Sequence, residues 1–216
     1  MMPQPLSDKG VLMKKILSVI IVCAVITGCA TAAVETDYGK TMLRLLKSEF
    51  TSKGPATVER MLNQDEVQKI CSEYPVERTE EMASRIQESQ MKTVKFPADG
   101  QYLGDWKNGE KIAQNGRGFQ SSDAIGGVNG GNCYACHKIT KSEISYGNIG
   151  PSLYNYVKVH GSNDDVVKHT WAKIYNSQAF TDCSSMPRFG HAGILNEKQI
   201  KDVMALLLDP ASPVNE

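Results

Sequence analysis

No charge of either sign is in excess in this chain of 216 residues: 24 Lys and Arg stand against 24 Asp and Glu, for a formal net charge of +0. That balance argues against nucleic acid as a partner, because neutralising phosphates takes a strongly basic face. No strand pattern and no internal repeat stands out, which leaves an all-α domain with long loops as the expected fold class. The glycine-bearing stretch GRGFQSSDAIGGVNGGN lacks the Gly-Lys-Ser/Thr ending and the preceding strand of a phosphate cradle. Its glycines are expected to serve tight turns and close backbone packing.

Long apolar runs are missing too. The run Ile16 to Ile26, preceded by Lys14 and Lys15 and followed by the small residues Gly28-Cys29-Ala30-Thr31-Ala32-Ala33, falls short of the roughly 20 residues that span a bilayer. It reads as an export signal, so the mature protein is expected in the periplasm. Residues 1–12 make a long leading region, and Met13 is a plausible start. Ala30-Thr31-Ala32 offers an ordinary cleavage site, which makes residues 1–32 the signal peptide. Ile26-Thr27-Gly28-Cys29 resembles a bacterial lipobox, which would end the signal at residue 28 and make Cys29 a lipid anchor. Loss of residues 1–28 removes Asp8, Lys9, Lys14 and Lys15, leaving the remainder slightly acidic.

With 41% hydrophobic and 22% charged residues, the rest suits one globular domain and an appendage. Residues 33–95 are expected to be a helical N-terminal extension. Met42, Leu43, Leu45, Leu46 and Phe50 mark one apolar cluster in it, and Val58, Met61, Leu62, Ile70, Cys71 and Tyr74 a second. Gly54-Pro55 breaks between them, and ERTEEMASRIQESQMK reads as a largely solvated helix. Residues 96–216 form the second region. Helices are expected over 105–114, ending at Asn115-Gly116, over 164–176 behind a Ser162 or Asn163 cap, and over about 196–208 with Pro210 as the stop.

The chemistry sits in Asn132-Cys133-Tyr134-Ala135-Cys136-His137-Lys138. Two thiols three positions apart with an imidazole directly after could hold zinc, cycle as a dithiol, or carry haem. A thioredoxin-like dithiol needs a mixed sheet around it, and structural zinc needs a second ligand pair at finger-like spacing. Cys183, His160, His169 and His191 are scattered instead. Covalent haem c suits the pattern: cysteines at i and i+3 share one face of a turn, and His137 presents its ring to the iron. Pro151 can offer its carbonyl to the imidazole Nδ1–H, fixing the tautomer.

For the sixth iron position, Met186 lies in a polar, irregular loop, CSSMPRFG, with Pro187 restricting its backbone. A thioether there favours the ferrous state, as suits an electron acceptor. His160, His169 and His191 are rivals, and Met204 reads as core filler. Arg188, Trp171 and Tyr175 could hydrogen-bond haem propionates or line the pocket, and the two aromatics could equally be plain core packing. Cys71 and Cys183 remain outside the motif, free to form a disulfide in an oxidising compartment or to stay separate.

Residues 104–208, with GEKIAQNG, CYACH, the GPSL turn, the methionine loop and a terminal helix, resemble a class I cytochrome c. GNCYACHKITKSEISYGNIGPSLYNY, WAKIYNSQAF and MPRFGHAGILNEKQIKDVMALLLDPASPVN closely resemble the SoxX family, the monohaem subunits of SoxAX cytochromes. The resemblance covers about half the chain and leaves residues 37–95 unmatched. It implies a haem c held by Cys133 and Cys136 with His137 and Met186 as axial ligands. It also implies an electron-transfer role in L-cysteine S-thiosulfotransferase, beside a catalytic SoxA subunit, a SoxYZ carrier protein and a downstream acceptor cytochrome. No residue of this chain is expected to make or break sulfur bonds. A free-standing monohaem carrier is the alternative.

Overall fold

Caps decide where most of the helices begin. In the computed structural model, which describes residues 37–75 and 77–216, the side chains of Thr57, Asp65, Thr79, Asp105, Asn163 and Asn196 each accept a backbone N–H from the first turn that follows. Asp65 and Asn196 complete reciprocal capping boxes with Gln68 and Gln199. The helices are α1 Tyr38–Glu49, α2 Val58–Leu62, α3 Glu66–Glu73, α4 Glu80–Met91, α5 Trp106–Gln114, α6 Tyr156–His160, α7 Asp164–Tyr175 and α8 Glu197–Leu208. Single 3-10 turns lie at Cys133–Ala135, Ser177–Ala179 and Pro213–Asn215. Among the described residues the only β-type pairing is an isolated bridge between Lys53 and Ala56. The protein is helical, as its periodicity implies. The export signal and Cys29 lie outside the described residues.

The chain divides at Glu49/Phe50 into two units. Helix α1 belongs to the first; it is amphipathic and none of its residues is buried. Everything from Phe50 onward forms the second unit, so residues 50–95 of the expected extension fold together with the cysteine motif. The second apolar cluster of the extension is divided between α2 and α3, because the Asp65 capping box starts a new helix after Asn63 has closed the previous one.

The core of the second unit is built on α8. Beyond the expected stripe of Ile200, Val203, Met204 and Leu207, every residue from Val203 to Leu208 is buried, as is Asp202. A helix enclosed on so much of its circumference is a central element rather than a surface one. Met204 is fully buried, in keeping with a packing role. The Asp202 carboxylate accepts from the Asp105 amide at 2.9 Å and pairs with Lys198 Nζ at 2.9 Å, so its burial is compensated. Helix α5 crosses α8 where Gly109 faces Asp202; a Cβ on Gly109 would collide with the Asp202 carbonyl oxygen.

Helix α7 brings in Trp171, which is 1% exposed. Its indole N–H donates to the Lys95 carbonyl at 2.9 Å, and its ring meets Tyr102 edge-on with centroids 5.6 Å apart. Trp171 is therefore a core residue tied to the end of the N-terminal segment. Helix α4, expected to be largely solvated, sinks Ile86 and Gln90 against the turn at Ser177–Ala179.

Candidate haem-binding site

Asn132 adopts the left-handed conformation, with φ of 47° and ψ of 40°, and turns the chain into the Cys133–Ala135 3-10 turn. Asparagine tolerates that region better than most residues. The turn closes through Cys136 N–H and His137 N–H, both donating to the Cys133 carbonyl at 3.1 and 2.9 Å. Both sulfurs thus sit on one short turn, and both are free thiols, half-buried and unbonded to one another. Tyr134, between them, is buried in the core, with its hydroxyl 3.1 Å from Thr140 Oγ1.

The loop that follows wraps the histidine. Gly147 N–H donates to the Tyr134 carbonyl at 2.8 Å, Gly150 N–H to the Cys136 carbonyl at 2.9 Å, and Leu153 N–H to the Lys138 carbonyl at 2.8 Å. His137 Nδ1 lies 2.7 Å from the Pro151 carbonyl oxygen. A carbonyl only accepts, so Nδ1 is the donor, and Nε2 is the nitrogen this bond leaves for a metal. A Cβ on Gly150 would run into the imidazole, so glycine is what lets the loop close over the ring.

Burial pushes the Cys133 thiol up to about 12, with a smaller upward contribution from Cys136. A thiol shifted in that direction is a poor attacking group in dithiol exchange. Among the described residues no group of three or more His, Cys, Asp or Glu side chains is placed to hold a metal ion. Haem iron does not call for such a group, since porphyrin supplies four nitrogens and the chain need add only axial donors. The donor set of two free thiols and an oriented imidazole fits covalent haem.

Met186 and Cys133 both pack against the same core cluster, which includes Trp171, Phe189, Leu195 and Met204. The backbone of Met186 is held on both sides: its N–H donates to Ser184 Oγ at 3.2 Å, and its carbonyl accepts from Ser177 Oγ at 2.6 Å. The rival histidines have other neighbours. His160 packs against Tyr156 with the rings tilted by 40° and centroids 4.6 Å apart, and His169 against Phe180 with a tilt of 49° and centroids 4.2 Å apart. His169 is held below the ordinary histidine range by burial, then by Lys173 and His160. His191 is shifted the same way, by burial and then Arg188.

Arg188, offered by the sequence for haem propionates or a pocket wall, pairs with Asp65 and reaches Gln90 Oε1 at 3.3 Å. The same loop holds Cys183, which is disulfide-bonded to Cys71 with Cα atoms 5.7 Å apart, and Asp182, whose carboxylate lies 2.6 Å from Arg78 Nε. Asp65, Arg78 and Gln90 carry no sequence signal for this role. The pair of cysteines left outside the motif was the one available hint.

No family model matches the chain. It is similar to an "Uncharacterized lipoprotein" of Aquifex aeolicus (strain VF5), with 36% identity over 211 residues that cover 94% of this chain and 98% of the relative. Similarity at that level over nearly the whole of both proteins shows common descent, and the chain therefore belongs to the family of the Aquifex aeolicus lipoprotein.

Proposed function

We propose that this protein is an exported, lipid-anchored class I cytochrome c that moves single electrons in the periplasm. On this reading Cys133 and Cys136 hold one haem c through thioethers, His137 Nε2 and the Met186 sulfur are its axial donors, and Pro151 fixes the His137 tautomer. Bound haem supplies the ferric/ferrous couple; the chain supplies the tether, the two donors and a core that shields them from water. The observation that carries the reading is the CYACH turn, with two unpaired thiols beside an imidazole whose Nδ1 is committed to the Pro151 carbonyl. The relative's description as a lipoprotein supports acylation of Cys29 in the Ile26-Thr27-Gly28-Cys29 sequence.

Within that class, the resemblance to SoxX makes the chain the electron-accepting subunit of a SoxAX-type L-cysteine S-thiosulfotransferase. It would take up electrons released when a SoxA partner joins thiosulfate oxidatively to a SoxYZ cysteine, and pass them to a downstream cytochrome. The exposed apolar residues Met42, Leu43 and Leu45 of α1 favour a subunit with a neighbour. A free-standing monohaem carrier is favoured by a different observation: residues 65–93 are engaged with their own chain, so that part of the extension gives no reason to invoke a partner.

The test is haem staining of a denaturing gel after expression in a host that matures c-type cytochromes. Wild type stains, and Cys133→Ala combined with Cys136→Ala does not. An unstained, colourless wild type overturns the proposal. Co-purification with a second cytochrome distinguishes the subunit from the free carrier.

A further inference from the structure

The loop that carries Met186 is fastened to the segment between Asp65 and Thr93 through Asp182, Cys183 and Arg188. Asp182 pairs with Arg78 at 2.6 Å, and both side chains are largely shielded, at 17% and 19% exposure. Cys183 is covalently joined to Cys71 across 112 positions of sequence. Arg188 divides its guanidinium between Asp65 and Gln90. Gln90 Oε1 accepts a second hydrogen bond, from the Asn176 amide at 3.0 Å, and that amide also donates to Thr93 Oγ1 at 2.9 Å. Asn176 is fully buried and caps the turn whose first residue, Ser177, holds the Met186 carbonyl. Disulfide, ion pairs and amide network thus fasten the loop before Met186, after it and beneath it.

These contacts join α3, α4 and the chain around Arg78 to a single irregular loop. Without them, Phe189 would still sit in the core and the Gly190 and His191 amides would still donate to the Tyr175 carbonyl, but the stretch before Phe189 that carries Met186 would keep few regular hydrogen bonds, the kind of segment that opens locally at small cost. A thioether is a weak, soft donor with no charge to hold it in place, so its hold on iron depends on how firmly the surrounding chain keeps it there.

We propose that residues 65–93 are an intramolecular clamp that positions Met186, with the Cys71–Cys183 disulfide and Arg188 as its two fixings. This rests on the haem reading above for the identity of what Met186 faces, while the clamp itself is a property of the protein chain. Asp65, Gln90 and Arg188 are positioning residues, acting on Met186 through the loop that carries it.

The experiment compares wild-type holoprotein with Cys71→Ala/Cys183→Ala, Arg188→Ala and Arg188→Lys, all made in a host that matures c-type cytochromes. The clamp predicts undiminished haem staining, a weakened near-infrared sulfur-to-iron band and a lowered reduction potential in the first two variants. Arg188→Lys, which keeps the charge toward Asp65 but loses the planar fork, should recover part of both signals. A band and potential unchanged in both the disulfide and the Arg188→Ala variants overturn the proposal. Hydrogen exchange of the Met186 amide gives a readout that needs no cofactor. Exchange faster by about tenfold or more, with α8 amides unaltered, supports the clamp even if wild type carries no haem, and unaltered exchange overturns it. Loss of haem from wild type defeats the functional reading alone.

Discussion

Gly150 lies so close against His137 that a single methyl group on its Cα would enter the space of the imidazole ring. The neighbouring carbonyl, that of Pro151, accepts the Nδ1 proton at 2.7 Å. One loop therefore both closes over the ring and sets which nitrogen is free, and side-chain size at residue 150 is coupled to the orientation of residue 137.

Gly150→Ala is expected to displace the imidazole while leaving Cys133 and Cys136 on their turn. The variant should keep covalent haem on a stained denaturing gel and lose the low-spin optical spectrum of a histidine-ligated iron. An unchanged spectrum would mean that the loop relaxes away from the ring.

Met186→Ala removes the soft donor and leaves the core nearly intact, since Met186 is only half-buried at its margin. The weak near-infrared sulfur-to-iron band should disappear and the reduction potential should fall. Retention of both would assign the sixth position to another residue, with His160, His169 and His191 as the substitutions to make next.

Gly109→Ala tests the α5–α8 crossing. The added Cβ collides with the Asp202 carbonyl, so the helices must separate at a well-packed point, at a cost of about 1–3 kcal/mol. A lower midpoint in urea unfolding with an unchanged slope is the expected result.

The Asp65 carboxyl gives the clamp a pH dependence. Burial works to raise its pKa, but the Gln68 amide and the Arg188 guanidinium outweigh it and hold the carboxyl below the usual carboxylate range. A depressed folded-state pKa contributes stability that is fully present above the unfolded value, near 3.9, and is lost as pH falls through the folded one. The urea midpoint of wild type should therefore lie above that of Asp65→Asn at neutral pH and fall more steeply with acid, so that the gap between the two closes at low pH. Urea midpoints collected from neutral pH down to about pH 3 decide it.

Much of the helical layout is legible from local chemistry. The helix expected over 105–114 is found at Trp106–Gln114 behind an Asp105 cap, that over 164–176 at Asp164–Tyr175 behind Asn163, and that over 196–208 at Glu197–Leu208 behind Asn196. Caps and apolar spacing act over a single turn, so they are written in adjacent residues. The same holds for the candidate site: CYACH is a contiguous word, and the reach from His137 to Pro151 spans one loop. The break between α2 and α3 was harder to see, because the apolar spacing of Val58, Met61, Leu62, Ile70 and Cys71 suits one helix and only the Asp65–Gln68 box interrupts it.

Local sequence by itself determined the helices, their caps, and the turn that sets two thiols beside an imidazole, because each depends on residues within a few positions of one another. Tertiary structure alone decided that Cys71 meets Cys183, that Arg188 turns away to Asp65 and Gln90, and that the indole of Trp171 finds the carbonyl of Lys95. Those partners are many tens of residues apart, and nothing in their immediate neighbours specifies the pairing. Only the packing of α7 on the buried α8, and of α4 on the turn at Ser177–Ala179, brings such partners within bonding distance.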